Sequence, residues 1–106
     1  MARLEVTFKF PAALGGGDVT LRDLTVEEEI QCYNLFEGQR RYYEMVKRCI
    51  VQVRGVKCDG ENRDEVFGSL SPKERDLVFL GYRSIHVAEE TEKAPFLASA
   101  RTKATV

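Results

Sequence analysis

Residues 4–10 have the sequence Leu-Glu-Val-Thr-Phe-Lys-Phe, in which apolar and polar side chains alternate strictly. This period of two is typical of a strand that buries one face. Pro11 ends the strand, because proline has no N–H group for a ladder. After the flexible glycines at 15–17, residues 19–22 (Val-Thr-Leu-Arg) resume the alternation. The sequence therefore predicts a β-hairpin over residues 4–22.

A helix is predicted directly after the hairpin. Thr25 and Glu28 have the spacing of a capping box, in which each side chain binds a backbone amide of the first turn. Beyond them, apolar residues recur every three or four positions, as on one side of a helix. They are Val26, Ile30, Tyr33, Phe36, Tyr43, Val46, Ile50 and Val53. We expect helical structure over residues 26–53, with a kink or division at Gly38 and a stop at Gly55.

Two further helices follow a polar loop. A short one is predicted over residues 63–69, with Asn62 as its cap. The next begins at Ser71-Pro72-Lys73-Glu74, which combines a capping serine, a proline at the first helical position and a glutamate that closes the box. Apolar residues then predict a helix over residues 72–92.

The C-terminal stretch lacks a helical period. Pro95 is expected to break the preceding helix, and the small and polar residues after it favour a loose tail. The predicted fold class is therefore α+β. A single domain over residues 1–93 packs the N-terminal hairpin on a bundle of two to three helices, and an extended C-terminal tail covers residues 94–106.

Composition excludes several classes of protein. The 106 residues carry 16 basic and 17 acidic side chains, for a formal net charge of −1. Nucleic-acid binding ordinarily needs a basic face, so no nucleic-acid partner is expected. No stretch approaches the roughly 20 apolar residues of a membrane span, and the first residues lack the apolar core of a signal peptide. We expect a chain made in a cytoplasm, with no membrane partner.

Residues that could carry chemistry are few. Cys32, Cys49 and Cys58 contain no Cys-x-x-Cys pair, and His86 is the one histidine. A zinc site needs about four nitrogen or sulfur ligands, so no metal is expected. The thiols are interpreted as small apolar core residues, with an intermolecular disulfide left open. No catalytic, cofactor-binding or metal-binding residue is predicted.

Two features favour binding to other proteins. A two-stranded hairpin leaves unpaired backbone groups along both edges, and such edges accept strands from neighbours. In the tail, Phe96 and Leu97 form an apolar pair among small residues. We predict Phe96, Leu97 and Val106 as partner-binding residues, with the alternative that the apolar pair folds back on its own domain.

Two stretches resemble a known family. They are residues 21–29 (Leu-Arg-Asp-Leu-Thr-Val-Glu-Glu-Glu) and residues 70–84 (Leu-Ser-Pro-Lys-Glu-Arg-Asp-Leu-Val-Phe-Leu-Gly-Tyr-Arg-Ser). In order and spacing they are similar to the baseplate hub and tail-assembly proteins of contractile-tail bacteriophages, over about residues 4–86.

The resemblance implies a non-enzymatic structural component of a phage tail or baseplate. Its partners would be other tail or baseplate proteins, with a homo-oligomer left open. It would be found in the host cytoplasm during assembly and then in the virion tail. One alternative is a tail-assembly chaperone that is absent from the mature virion. An alternative of another class is a small enzyme or a ligand-binding regulator.

Overall fold

The computed structural model describes residues 4–100 of the chain. Within these residues it has four strands, five α-helices and a 3₁₀ turn at Ala12–Leu14. The strands are β1 Glu5–Lys9, β2 Asp18–Arg22, β3 Ile50–Val53 and β4 Val56–Lys57. The helices are α1 Val26–Leu35, α2 Gly38–Cys49, α3 Arg63–Gly68, α4 Pro72–His86 and α5 Glu90–Ala98. The predicted α+β class is confirmed.

The predicted N-terminal hairpin is also confirmed, but it forms half of a larger sheet. β1 and β2 pair antiparallel with Glu5 opposite Arg22 and Lys9 opposite Asp18. The sheet continues antiparallel in the order β1-β2-β3-β4. β3 therefore covers the edge of β2 that a two-stranded hairpin would leave open.

The division predicted at Gly38 is confirmed, but the helical structure predicted over residues 26–53 is wrong at its C-terminal end. It is divided where Phe36 and Glu37 are extended and Gly38 takes a φ of 59°. Its last four residues are β3, because the β-branched Ile50, Val51 and Val53 suit a strand that has a partner available in β2. Gly55, expected as a helix stop, belongs to a tight turn between β3 and β4.

The later helices differ from the predictions at one end. The short helix predicted over residues 63–69 is confirmed as α3. Asn62, expected to cap it, makes no capping hydrogen bond, because its side-chain oxygen accepts from the Asp59 N–H instead. The helix predicted over residues 72–92 starts as expected but ends at His86, where Val87 becomes extended. Helix α5 then begins with a box of its own between Glu89 and Glu92.

The extended tail predicted from residue 94 is wrong for its first part, because Pro95 lies inside α5. Every residue of α5 is exposed to solvent, so water can serve the carbonyl group that proline leaves without an N–H donor. The tail beyond residue 100 lies outside the described residues.

The hydrophobic core lies between one face of the sheet and helices α2, α3 and α4. Its buried members are Phe10, Val19, Leu21, Val46, Cys49, Ile50, Val53, Phe67, Leu70, Val78 and Tyr82. The opposite face of the sheet is polar, with Thr7 and Thr20 hydroxyl oxygens 2.9 Å apart. The alternation seen in the sequence thus separates a buried face from a solvated one.

Arg54 connects the two hairpins to α4. It stands in the β3–β4 turn with a φ of 48°, followed by Gly55 at 82°, the combination that a two-residue hairpin turn requires. Its Nε donates to the Gly16 carbonyl at 3.0 Å and its Nη2 to the Leu14 carbonyl at 3.0 Å. The same guanidinium pairs with the carboxylate of Glu74.

Gly81 brings α4 close to the sheet. A Cβ atom at this position would lie 3.1 Å from Leu21 Cδ1 and 3.1 Å from Phe8 Cε2. Those contacts are tighter than ordinary van der Waals distances, so a larger side chain would push α4 away from β1 and β2.

We predict that Gly81→Val lowers the free energy of unfolding by about 1–3 kcal/mol through overpacking. The matched control is Gly68→Val at the end of α3, where an added Cβ meets nothing within 4 Å. Urea unfolding monitored by circular dichroism measures both variants. Equal effects at the two positions would contradict the close packing of α4 on the sheet.

Candidate protein-binding surface

The groups that could carry chemistry serve the fold. The Nε2 atom of His86 accepts from the Leu24 N–H at 3.1 Å, and its Nδ1 lies 3.0 Å from the Tyr82 carbonyl, to which it donates. The imidazole also stacks on the Tyr82 ring at 4.4 Å. Both ring nitrogens are therefore used to hold the end of α4 against the segment before α1.

The three cysteines are free thiols. Cys32 and Cys49 are buried and Cys58 is half-buried, in agreement with their interpretation as small apolar residues. Burial raises the pKa of Cys49 to about 12 and raises the pKa of Cys32 and Cys58. Because the thiolate is the nucleophilic form, these environments hold the thiols in their less reactive state.

A polar depression of about 310 Å³ lies between α1, α2 and α3. Lys47 pairs with two carboxylates in its lining, with its Nζ 2.8 Å from Glu44 and 2.7 Å from Asp64. Arg48 donates to Gln31 at 2.8 Å. The lining contains neither His86 nor a cysteine. Within the described part of the chain, no group of three or more His, Cys, Asp or Glu side chains is placed to hold a metal ion.

Helix α1 is fixed to the rest of the protein along one side only. The predicted capping box is present, since Thr25 Oγ1 accepts from the Glu28 N–H at 3.1 Å and Glu28 accepts from the Thr25 N–H at 3.1 Å. Arg22 holds the same carboxylate with two donors, at 2.9 and 2.7 Å. One turn later Cys32 is completely buried. The contact between α1 and the rest of the protein is therefore narrow and partly polar.

The outer side of α1 is apolar and faces solvent. Val26, Ile30 and Tyr33 are 70%, 53% and 54% exposed. They occupy positions i, i+4 and i+7, so they form one row, which we call the α1 stripe. The helical spacing predicted the helix, but it carried no sign that this row faces outward. Periodicity shows that apolar residues share a side without showing what that side contacts.

A cationic side chain, that of Arg41, borders the α1 stripe. The guanidinium of Arg41 lies 4.2 Å from the centre of the Tyr33 ring and donates to the Phe36 carbonyl at 3.0 Å. These bonds hold Arg41 and Tyr33 in place before any partner arrives. Tyrosine and arginine are also the side chains that most often dominate the binding energy of protein interfaces.

The predicted partner-binding residues lie apart from the α1 stripe in the chain. Phe96 and Leu97 are in α5 and are 74% and 68% exposed. They line a shallow apolar depression together with Ala88, Glu92 and Lys93. Both side chains are accessible, and their binding role remains a prediction. Val106 lies outside the described residues.

Comparison with protein-family models, curated proteins and solved structures found no match to this chain. None of the helices within residues 4–100 combines the length and the apolar character that crossing a bilayer requires.

The Arg22–Glu28 pair at the start of α1 predicts that the free energy of unfolding depends on pH. The hydrogen bond from Arg22 lowers the pKa of Glu28 from 4.5 to about 2. A carboxyl group with a lower pKa in the folded state contributes stability above its unfolded pKa, and that contribution is lost as the pH falls through the folded value. We expect Glu28→Gln to be less stable than the wild type above pH 4.5, with the difference shrinking toward pH 2.

Chemical unfolding at a series of pH values measures this difference. The control is the same substitution in an Arg22→Gln background, where the partner of the carboxylate is absent. There Glu28→Gln should change the pH dependence much less. If this double-mutant cycle shows that the two substitutions act independently, Arg22 is not the source of the pH-dependent difference.

Proposed function

We propose that this chain is a non-enzymatic protein-binding component of a bacteriophage tail or baseplate. The observation that supports the binding role is the α1 stripe. This apolar row lies on the solvent-facing side of a helix whose opposite side contacts the rest of the protein. The phage context rests on the resemblance of residues 21–29 and 70–84. On this proposal the chain acts in the host cytoplasm during assembly and remains in the virion tail.

The exposure of the α1 stripe supports this proposal on energetic grounds. Removing apolar surface from water contributes roughly 25 cal/mol per Å², so a row of three such side chains is a source of binding energy that the isolated chain leaves unused. Contiguous apolar surface on a soluble protein commonly marks an interaction site. The partner would be a tail or baseplate protein with an apolar groove and a carboxylate placed to meet Arg41.

The α5 residues Phe96 and Leu97 offer a second area of contact. Helix α5 is exposed along its whole length, so this area is available without unfolding the core. Two separated contacts on one chain suit a component that bridges neighbouring subunits, because the second contact forms at high effective concentration after the first.

We predict that Ile30→Glu weakens partner binding by tenfold or more while leaving the free energy of unfolding within about 0.5 kcal/mol of the wild type, because the side chain is mostly exposed. The matched control is Val56→Glu, an exposed apolar residue on β4. Binding to purified tail proteins by calorimetry, with thermal unfolding in parallel, measures both properties. A loss of stability in place of a loss of binding would assign Ile30 to the core.

The virion role is tested on purified phage particles from the native source. Mass spectrometry of sedimented particles should find this chain at a fixed copy number. Its presence only in the soluble lysate, bound to unassembled tail protein, would assign it as an assembly chaperone. Its absence from both would overturn the phage proposal and leave the protein-binding surface to be tested separately.

A further inference from the structure

Strand β1 forms an edge of the sheet. Within residues 4–100 it pairs with β2 alone, since the strand order begins with β1. An edge strand presents a row of N–H and C=O groups that another strand can pair with. The backbone groups that face outward can be identified from the ends of the hairpin.

The backbone N–H and C=O groups of the even-numbered residues at and beside β1 are directed toward β2. The Leu4 carbonyl accepts from the Asp23 N–H at 3.1 Å, and the Phe10 N–H donates to the Gly17 carbonyl at 2.8 Å. In an antiparallel pair, hydrogen-bonded positions alternate along the strand. The N–H and C=O groups of Glu5, Thr7 and Lys9 are therefore directed away from β2, toward the open edge.

We propose that two copies of this chain associate through β1, antiparallel, around a two-fold axis at Thr7. In this register Thr7 is opposite the partner's Thr7, and Glu5 is opposite the partner's Lys9. All five residues of β1 are then paired, and the outward groups of one strand meet the outward groups of the other. The result is one continuous sheet of eight strands, built from the four of each copy.

Charge favours this register over its neighbours. The two-fold axis forms the Glu5–Lys9 pair twice, on the solvated face of the joined sheet, where opposite charges stabilise cross-strand pairs. A shift by two residues in either direction leaves three paired residues and separates these charges. A shift by one residue would set outward backbone groups against inward ones and place polar side chains opposite apolar ones.

The apolar side chains of β1 also meet apolar side chains of the partner in this register. Val6 and Phe8, both half-buried, would stand opposite the partner's Phe8 and the partner's Val6. A groove of about 360 Å³ runs along this edge between β1 and α4. Its lining is mostly apolar, with Phe8, Phe10, Leu77 and Leu80 among its members, and it also includes Lys9 and Ser84. The same register brings the partner's Leu4 alongside Phe10, at the mouth of this groove. An exposed apolar side chain thus meets an open apolar groove.

The contact is short, so the dimer should be reversible and dependent on concentration. It uses β1 and leaves the α1 stripe free, so this proposal and the proposed function can fail independently. Sedimentation velocity over a range reaching millimolar concentration measures the monomer–dimer equilibrium. A chain that stays monomeric throughout this range would overturn the proposal.

Charge variants test the register. Glu5→Lys and Lys9→Glu each turn both ion pairs into repulsive ones, and each should weaken dimerisation about tenfold. Mixed in equal amounts, the two variants form a heterodimer in which both charge pairs are again complementary. Native mass spectrometry should therefore find the heterodimer in large excess over either homodimer. Circular dichroism checks that each variant folds, since Glu5 and Lys9 also stand opposite Arg22 and Asp18 in the hairpin.

The two variants carry different net charges, and this difference alone could favour the heterodimer. A control pair of variants with the same net charges is therefore needed. Glu61→Lys and Lys73→Glu make the same changes in net charge at exposed positions outside β1. Mixed together, this pair should give the statistical proportion of heterodimer. A heterodimer excess of the same size in both mixtures would overturn the register.

The backbone is tested by Thr7→Pro. Because the Thr7 N–H faces the open edge, proline removes no backbone hydrogen bond from the hairpin, yet it deletes both central hydrogen bonds of the dimer. Thr7→Pro and Thr7→Ala both lose the hydroxyl contact with Thr20, so the alanine variant controls for that loss. Thr7→Pro should abolish the dimer, whereas Thr7→Ala should retain it. If Thr7→Pro fails to fold, the mixed charge variants decide the outcome. A folded Thr7→Pro chain that dimerises like the wild type would exclude β1 pairing.

Discussion

The guanidinium of Arg54 is the contact on which the arrangement of the sheet and α4 depends. It reaches two carbonyl groups of the β1–β2 loop, the carboxylate of Glu74 at the start of α4, and the ring of Phe10, whose centre is 4.5 Å away. A planar group with five donors can serve all these partners together, whereas the ammonium group of lysine could not. Arg54 and the Gly16 carbonyl that it binds are 38 positions apart in the sequence. One side chain in a tight turn thus joins the two hairpins to the helix that covers them.

This arrangement leaves α1 outside the centre of the protein. The core is complete with the sheet, α2, α3 and α4, and α1 adds to it mainly through Cys32. The Arg22–Glu28 pair and the capping box hold the start of the helix without needing its apolar residues. The α1 stripe is therefore available for another protein, and a substitution there can change binding with little effect on folding. Arg41, which is held against Tyr33, adds a fixed positive charge to the same surface.

The sequence predicted those parts of the fold that depend on local signals. The alternation in β1 and β2 and the capping boxes at Thr25 and Ser71 are all present. It did not predict β3, because Ile50 and Val53 continue a helical spacing and become a strand only beside β2. Likewise, it singled out Phe96 and Leu97 as an apolar pair that binds a partner or folds back on the domain, but it placed them in an extended tail instead of α5. The outward orientation of the α1 stripe depends on what the other side of α1 contacts, which no local pattern encodes.

A photocrosslinking amino acid at position 33 tests the central claim most directly, namely that another protein covers the α1 stripe. The control is the same amino acid at position 65, an exposed position on α3. In assembled particles, position 33 should crosslink to one tail or baseplate protein, and excess Ile30→Glu protein should fail to compete while wild-type protein succeeds. If position 33 crosslinks no more than position 65, or only within the same chain, α1 faces solvent in the assembly and the binding role assigned to it is wrong.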